Sequence, residues 1–218
     1  MGRIHLGSIL GTSITLDFSF IILIAFFVLT DIDNAGMPRA LLWAPVLFIS
    51  VLVHELAHAA TIGVFGYGAS AIVLGGIGGA TFNRRQARPW QDMLISAAGP
   101  LSSFALAFAL TLLPPLRDRF FQELLPLLLL ANVWWGIFNL LPVGPLDGAG
   151  IVRNFLRLFL NERTAFMISV WISIVVGTAV ALLGLAWRQV FLAILMAWYV
   201  WSSWSQWQFF RSTNRTDD

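Results

Sequence analysis

Long apolar runs recur along the chain, and most charged residues lie in the short segments between them. A helix needs about 20 residues to cross a hydrocarbon core of roughly 30 Å, and tilt or extension accommodates some variation. The predicted spans lie at residues 17–30, 41–66, 91–113, 122–141, 164–186 and 188–210, of which the first is short for a full crossing. The pattern therefore predicts an all-α membrane protein, a polytopic bundle of about six transmembrane helices.

Two segments depart from this pattern. Residues 3–15 mix apolar and small polar side chains around two glycines, which is typical of a short strand or hairpin at the membrane surface. Residues 71–82 place four glycines among apolar and β-branched residues. Non-helical backbone at membrane depth is tolerated only where protein or water covers it. We expect a small re-entrant or surface β element in these two segments, and a flexible cytoplasmic loop is the alternative for residues 71–82.

The composition supports a membrane location. Of the 218 residues, 58% are hydrophobic and 11% are charged, with a mean hydropathy of +0.81, which indicates one membrane domain over residues 1–218. The chain has no cysteine, so disulfides and thiolate metal ligands are excluded. The net charge is +2, but every basic residue is an arginine and these are spread among the loops. This distribution favours a membrane surface over nucleic acid as the partner.

The arginines also predict the orientation, because cytoplasmic loops of membrane proteins carry an excess of basic residues. The side with more arginines has Arg3, Arg84, Arg85, Arg88, Arg153, Arg157, Arg163, Arg211 and Arg215. The opposite side has Arg39, Arg117, Arg119 and Arg188. We therefore expect an integral, multi-pass protein of a prokaryotic cell membrane with both termini in the cytoplasm. No small-residue cleavage site follows the first apolar run, so residues 18–29 are interpreted as a retained helix.

The second predicted span carries three ionisable residues, His54, Glu55 and His58. Side chains four residues apart lie on the same face of a helix, so the two imidazoles can reach one ion together. Glu55 lies about 100° around the helix from His54, where it can take a proton from a water beside the metal. This arrangement indicates hydrolysis. The alternative is an apolar helix with polar residues that neighbouring groups satisfy.

A zinc hydrolase usually has three protein ligands and an open position for water. Asp147 is the best candidate for the third ligand, because it lies in a stretch, Asn139 to Gly148, in which two prolines and two glycines interrupt the helix at the end of the fourth span. The alternative for Asp147 is a helix N-cap. His5 is interpreted as a surface histidine, since nothing fixes its distance from the pair.

Three motifs in this order resemble the site-2 protease family of intramembrane zinc metalloproteases, in a short form without added soluble regulatory domains. They are His-Glu-x-x-His at 54–58, Ala-Gly-Pro-Leu at 98–101, and the Asn-x-x-Pro and Leu-Asp-Gly elements between Asn139 and Gly148. The resemblance implies that His54, His58 and Asp147 bind one Zn²⁺ ion. It further implies that Glu55 is the general base and that Asn139 helps to hold the substrate backbone.

The expected function is hydrolysis of a peptide bond within or near the transmembrane segment of a membrane-anchored protein by zinc-activated water. The expected partners are this transmembrane substrate and the lipid bilayer. The first alternative is a zinc-binding transporter or metal sensor, although a transporter needs ligands along a pathway and the chain offers one compact cluster. The second is a membrane scaffold whose metal site has lost its activity.

Overall fold

The computed structural model describes residues 2–9, 11–68, 71–76, 78–82, 87–114 and 116–213. Arg84, Arg85 and Arg215, which entered the count of arginines, lie outside these ranges. The described strands are β1 (Arg3–Ile9), β2 (Thr12–Asp17), β3 (Ala71–Gly75) and β4 (Gly78–Phe82). The described helices are α1 (Ser19–Ala35), α2 (Met37–Ala40), α3 (Trp43–Val64), α4 (Pro89–Thr111), α5 (Arg119–Asn139), α6 (Asp147–Leu156), α7 (Glu162–Ala186) and α8 (Val190–Thr213).

Each of the six predicted spans corresponds to a helix, and the helix ends differ from the predicted ends by a few residues. Within the described ranges, four segments are long and apolar enough to cross a membrane, namely Met37–Val64, α4, α5 and α7. Helix α1 is 17 residues long, which at about 1.5 Å per residue falls short of a full core. The described part of the chain is thus mainly helical with four candidate membrane helices, and the crossings by α1 and α8 stay predictions.

The two segments with unusual composition form one four-stranded sheet in the order β1-β2-β3-β4. Strands β1 and β2 pair as an antiparallel hairpin, and so do β3 and β4. The hairpins are joined by a parallel pairing that sets Ser13 opposite Ala71. A parallel pair requires a long crossover, which helices α1 to α3 supply here. The prediction of a small β element is confirmed, and residues 71–75 and 78–82 are strands.

The chain packs as two compact units, of which the first comprises residues 1–87 and 98–137. Helix α3 lies in the core of this unit, where its apolar side chains pack with strand β3 and helix α5. The buried residues of this core include Val46, Leu47 and Val51 of α3, Ile72 and Leu74 of β3, and Leu127 and Leu128 of α5. Protein side chains therefore surround much of the helix that carries the His-Glu-x-x-His motif.

The second unit comprises residues 88–97 and 138–218 and is built largely on the packing of α7 against α8. Gly177 of α7 allows this close approach, since a Cβ atom there would lie 2.7 Å from Cγ2 of Val200 and 3.2 Å from Cγ1 of Val143. Ser173, one turn earlier on α7, accepts a hydrogen bond of 2.5 Å from the backbone N–H of Gly144. Helix α7 therefore holds both α8 and the segment before α6.

We predict that Gly177→Ala destabilises the protein, because its methyl group overlaps a β-branched side chain that has little room to move. The expected cost in free energy of unfolding is about 1 to 3 kcal/mol, typical of overpacking. The matched control is Gly63→Ala in α3, whose Cβ would meet nothing within 4 Å. Thermal unfolding of both variants in one detergent measures the difference. Equal melting temperatures would contradict the packing role of Gly177.

Candidate metal centre

The motif residues of α3 face the protein interior. His54, Glu55 and His58 are only 2%, 4% and 6% exposed. The helical spacing sets the two imidazole rings one turn apart, with their centroids 4.9 Å from each other and their planes at 77°. Two imidazoles and a carboxylate are thus buried together on one helix, and such burial is costly unless partners compensate for the lost water.

Gly99 of α4 lies against both imidazoles. A Cβ atom at this position would overlap Nε2 of His54 and Nε2 of His58. The two Nε2 atoms therefore point to the same spot, and the backbone of α4 approaches them where the chain has no side chain. The Ala-Gly-Pro-Leu motif at 98–101 consequently does more than allow helix packing, since its glycine leaves space beside two potential metal ligands.

Ser103, one turn further along α4, fixes the orientation of His54. Its fully buried hydroxyl lies 3.1 Å from Nδ1 of His54. With the proton on Nδ1, His54 donates to Ser103 and keeps the lone pair of Nε2 available for a metal. Histidines that bind metals commonly have such a partner on the second ring nitrogen, which sets both the tautomer and the ring orientation. Sequence analysis did not identify Ser103.

Strand β4 contributes the partner of Glu55. The hydroxyl of Thr81 donates a hydrogen bond of 2.7 Å to Oε2 of Glu55. A Cβ atom on Gly79, two residues earlier, would overlap the Glu55 side chain. Sequence analysis missed Thr81 as well, although the alternation of a strand places residues 79 and 81 on one face.

Asp147 is the first residue of α6. The N-cap of this helix is Leu146, and no side-chain cap hydrogen bond is formed, so the alternative role of Asp147 as N-cap is not observed. A Cβ atom on the next residue, Gly148, would overlap the carbonyl oxygens of Leu140 and Leu141. Glycine at 148 thus lets the first turn of α6 pack against the backbone that directly follows α5. This contact fixes the position of the start of α6, where Asp147 lies.

The structure brings His54, His58 and Asp147 together, with one potential ligand atom from each within 4.8 Å of the others. Two imidazole nitrogens and one carboxylate oxygen suit zinc, and the chain has no thiolate to offer. Asn139 is the half-buried last residue of α5, and its contact with substrate stays a prediction. His5 lies on exposed strand β1 and is not a member of the group.

Comparison with known proteins gives a consistent picture. A zinc metalloprotease of Methanocaldococcus jannaschii is 31% identical over 185 residues, which are 83% of this chain and 52% of that protein. A Synechocystis protein whose name marks it as a candidate zinc metalloprotease is 27% identical over 220 residues, 91% of this chain and 58% of that protein. No family model matches the chain.

The solved structure of a site-2 protease from Methanocaldococcus jannaschii matches this fold with a TM-score of 0.68 and 26% sequence identity, covering 94% of both chains. The chain belongs to the site-2 protease family. Membership accounts for a mainly helical membrane protein with a small sheet and implies zinc as the metal. The chain spans a little more than half the length of the two curated relatives described above.

We predict that Gly99→Ala lowers zinc binding, because the added methyl group occupies space that both Nε2 atoms face. At least a tenfold weaker zinc affinity is expected, on the order of what displaced metal ligands cost. Metal analysis of the purified protein after dialysis against a zinc buffer measures this. The control is again Gly63→Ala, which adds the same methyl group in open space. Unchanged zinc content in Gly99→Ala would refute the role assigned to this glycine.

Ser103→Ala is expected to weaken zinc binding about tenfold to a hundredfold, since His54 loses the partner that orients its ring. Ser102→Ala is the matched control, because the Ser102 hydroxyl donates to the carbonyl oxygen of Gly99 within the same helix. Competition with a zinc chelator gives both affinities. If the two variants bind zinc equally well, the hydrogen bond to His54 does not support the metal centre.

Proposed function

We propose that this chain is an intramembrane zinc metalloprotease, which hydrolyses a peptide bond within or near the transmembrane segment of a membrane-anchored protein. The observation that carries the proposal is the buried group of His54 and His58 with Asp147 in ligand range, next to the buried carboxylate of Glu55. Membership of the site-2 protease family supports the same activity.

In this proposal His54, His58 and Asp147 hold one zinc ion. When bound, zinc polarises the carbonyl of the scissile peptide and lowers the pKa of water toward about 7. The donor set fits this role, because two imidazoles and one carboxylate would hold the ion as the three protein ligands that zinc hydrolases commonly use. A hydrogen bond donated by Nδ1 of His54 to Ser103, together with the space beside Gly99, favours an arrangement in which both imidazoles offer Nε2.

Glu55 acts as the general base. As the water oxygen bonds to the carbonyl carbon of the substrate, Glu55 accepts a proton from that water. Glu55 then delivers the proton to the peptide nitrogen as the carbon–nitrogen bond breaks, so that a carboxylic acid and an amine leave. Asn139 would hold the substrate backbone, since its side-chain amide can both donate and accept hydrogen bonds.

The substrate must unwind before its peptide bond is exposed. Pro142, Gly144 and Pro145 interrupt regular helix ahead of Asp147, which favours an irregular and hydrated segment near the ligands. Strand β4 stands at one edge of the described sheet, and an extended substrate could add to that edge through backbone hydrogen bonds. Pairing through the backbone would give loose side-chain specificity.

The proposal includes the remaining sequence-based expectations. Residues 1–218 act as one domain with about six membrane crossings, both termini lie in the cytoplasm, and the host membrane is that of a prokaryotic cell. Protease protection of tags fused to each terminus in sealed inverted vesicles tests the orientation.

Glu55→Gln should retain zinc and lose cleavage, because the amide keeps the shape of the carboxylate but cannot accept the proton. The expected loss in kcat is at least a hundredfold, within the range for a general base. The test is cleavage of a tagged reporter with one transmembrane helix, together with metal analysis. Retained turnover would refute the protease mechanism. Zinc flux into sealed vesicles that persists in this variant would favour a transporter instead.

A further inference from the structure

Two residues of strand β4 face Glu55, a glycine that packs on its side chain and a threonine that hydrogen-bonds to it. Gly79 and Thr81 are two positions apart, so both lie on the same face of the strand. Each meets Glu55, Gly79 by leaving space for its side chain and Thr81 by hydrogen bonding. Strand β4 therefore contacts the proposed base, Glu55, at both of these positions. The mechanism above assigns no role to either contact.

The Thr81 hydroxyl has two acceptors on Glu55. It lies 2.7 Å from the carboxylate oxygen Oε2 and 3.2 Å from the backbone carbonyl oxygen. A hydroxyl donates one proton at a time, and the shorter contact is the one expected for a bond to an ionised carboxylate. Such charge-assisted bonds are roughly twice as strong as neutral ones.

Gly79 restricts Glu55 from another direction. A Cβ atom on Gly79 would overlap Cγ of Glu55 and lie 2.5 Å from Cδ and Oε1, so the strand backbone packs directly on this side chain. A glutamate side chain has three rotatable bonds and loses considerable entropy when it is fixed. One oxygen bonded to Thr81 and the methylene chain packed on Gly79 hold the carboxylate in one position before any substrate arrives.

We propose that Thr81 is a positioning residue for Glu55, which holds the carboxylate where it can receive a proton from the attacking water. This inference rests on the proposed function. Misplacing a catalytic group by about 1 Å can cost a hundredfold in rate, so a single well-placed hydroxyl has a measurable effect. Thr81 lies outside the His-Glu-x-x-His motif, in strand β4 of the sheet.

The first test compares cleavage of the one-helix reporter by the wild type, Thr81→Val and Thr81→Ser. Valine keeps the shape and removes the donor, so kcat should fall about tenfold to a hundredfold with KM changed less than about twofold. Serine keeps the donor and should restore at least half of the wild-type kcat. The control is Thr61→Val in α3, because the Thr61 hydroxyl donates to the backbone carbonyl of Ala57 in its own helix.

Three outcomes overturn the proposal. The first is an unchanged kcat in Thr81→Val. The second is a serine variant as impaired as the valine variant, which would indicate packing by the methyl group. The third is loss of zinc from Thr81→Val, because the hydroxyl would then support the metal centre or the fold rather than the base.

A second test needs no cleavage and separates this inference from the proposed function. Melting temperatures are measured for the wild type, Thr81→Val, Glu55→Ala and the double variant. Thr81→Val should lower the melting temperature by a few degrees when Glu55 is present and have little effect when it is absent. Additive changes would overturn the Thr81–Glu55 coupling. Coupling without any cleavage by the wild type would refute the protease function and leave the contact established.

Discussion

The burial of two imidazoles and one carboxylate within an apolar helix is the constraint on which the first unit depends. Each ionisable group costs free energy when water is removed, unless a partner replaces the lost hydrogen bonds. The partners come from other elements, Ser103 of α4 for His54 and Thr81 of β4 for Glu55. Both the neighbouring helix and the edge of the sheet are therefore required to keep α3 in the core.

Glycines set the distances at which these partners approach. Gly99 brings the backbone of α4 to the imidazoles, and Gly79 brings the backbone of β4 to Glu55. In each case a side chain would take the space of a functional atom. The residue that supplies the hydrogen bond follows shortly after the glycine in both elements, four positions later on the helix and two on the strand. These spacings are the repeats of the two structures, which keep both residues on one face.

The sequence was sufficient to predict the helices and the motif residues but not their partners. Apolar runs and the spacing of His54 and His58 are local patterns, and the structure confirms the helices. One potential ligand atom of Asp147 lies within 4.8 Å of those of the two histidines, and metal binding by the three residues stays a prediction. The parallel pairing of β2 with β3 joins residues almost 60 positions apart, which local periodicity does not encode. Ser103 and Thr81 were missed for the same reason, because a small hydroxyl residue becomes a partner only through packing.

The position of Asp147 depends on residues that lie outside the sequence motifs. The irregular segment before Asp147 has few backbone hydrogen bonds of its own, because Pro142 and Pro145 lack the backbone donor. It forms short turns, in which Val143 donates to the carbonyl of Leu141 and Leu146 donates to the carbonyl of Val143. Its backbone is further fixed within the second unit, by the bond from Gly144 to Ser173 and by the close approach of Gly148 to the carbonyls of Leu140 and Leu141. Helix α7, which contains no motif residue, thereby helps to position the backbone that leads to Asp147, the proposed third ligand.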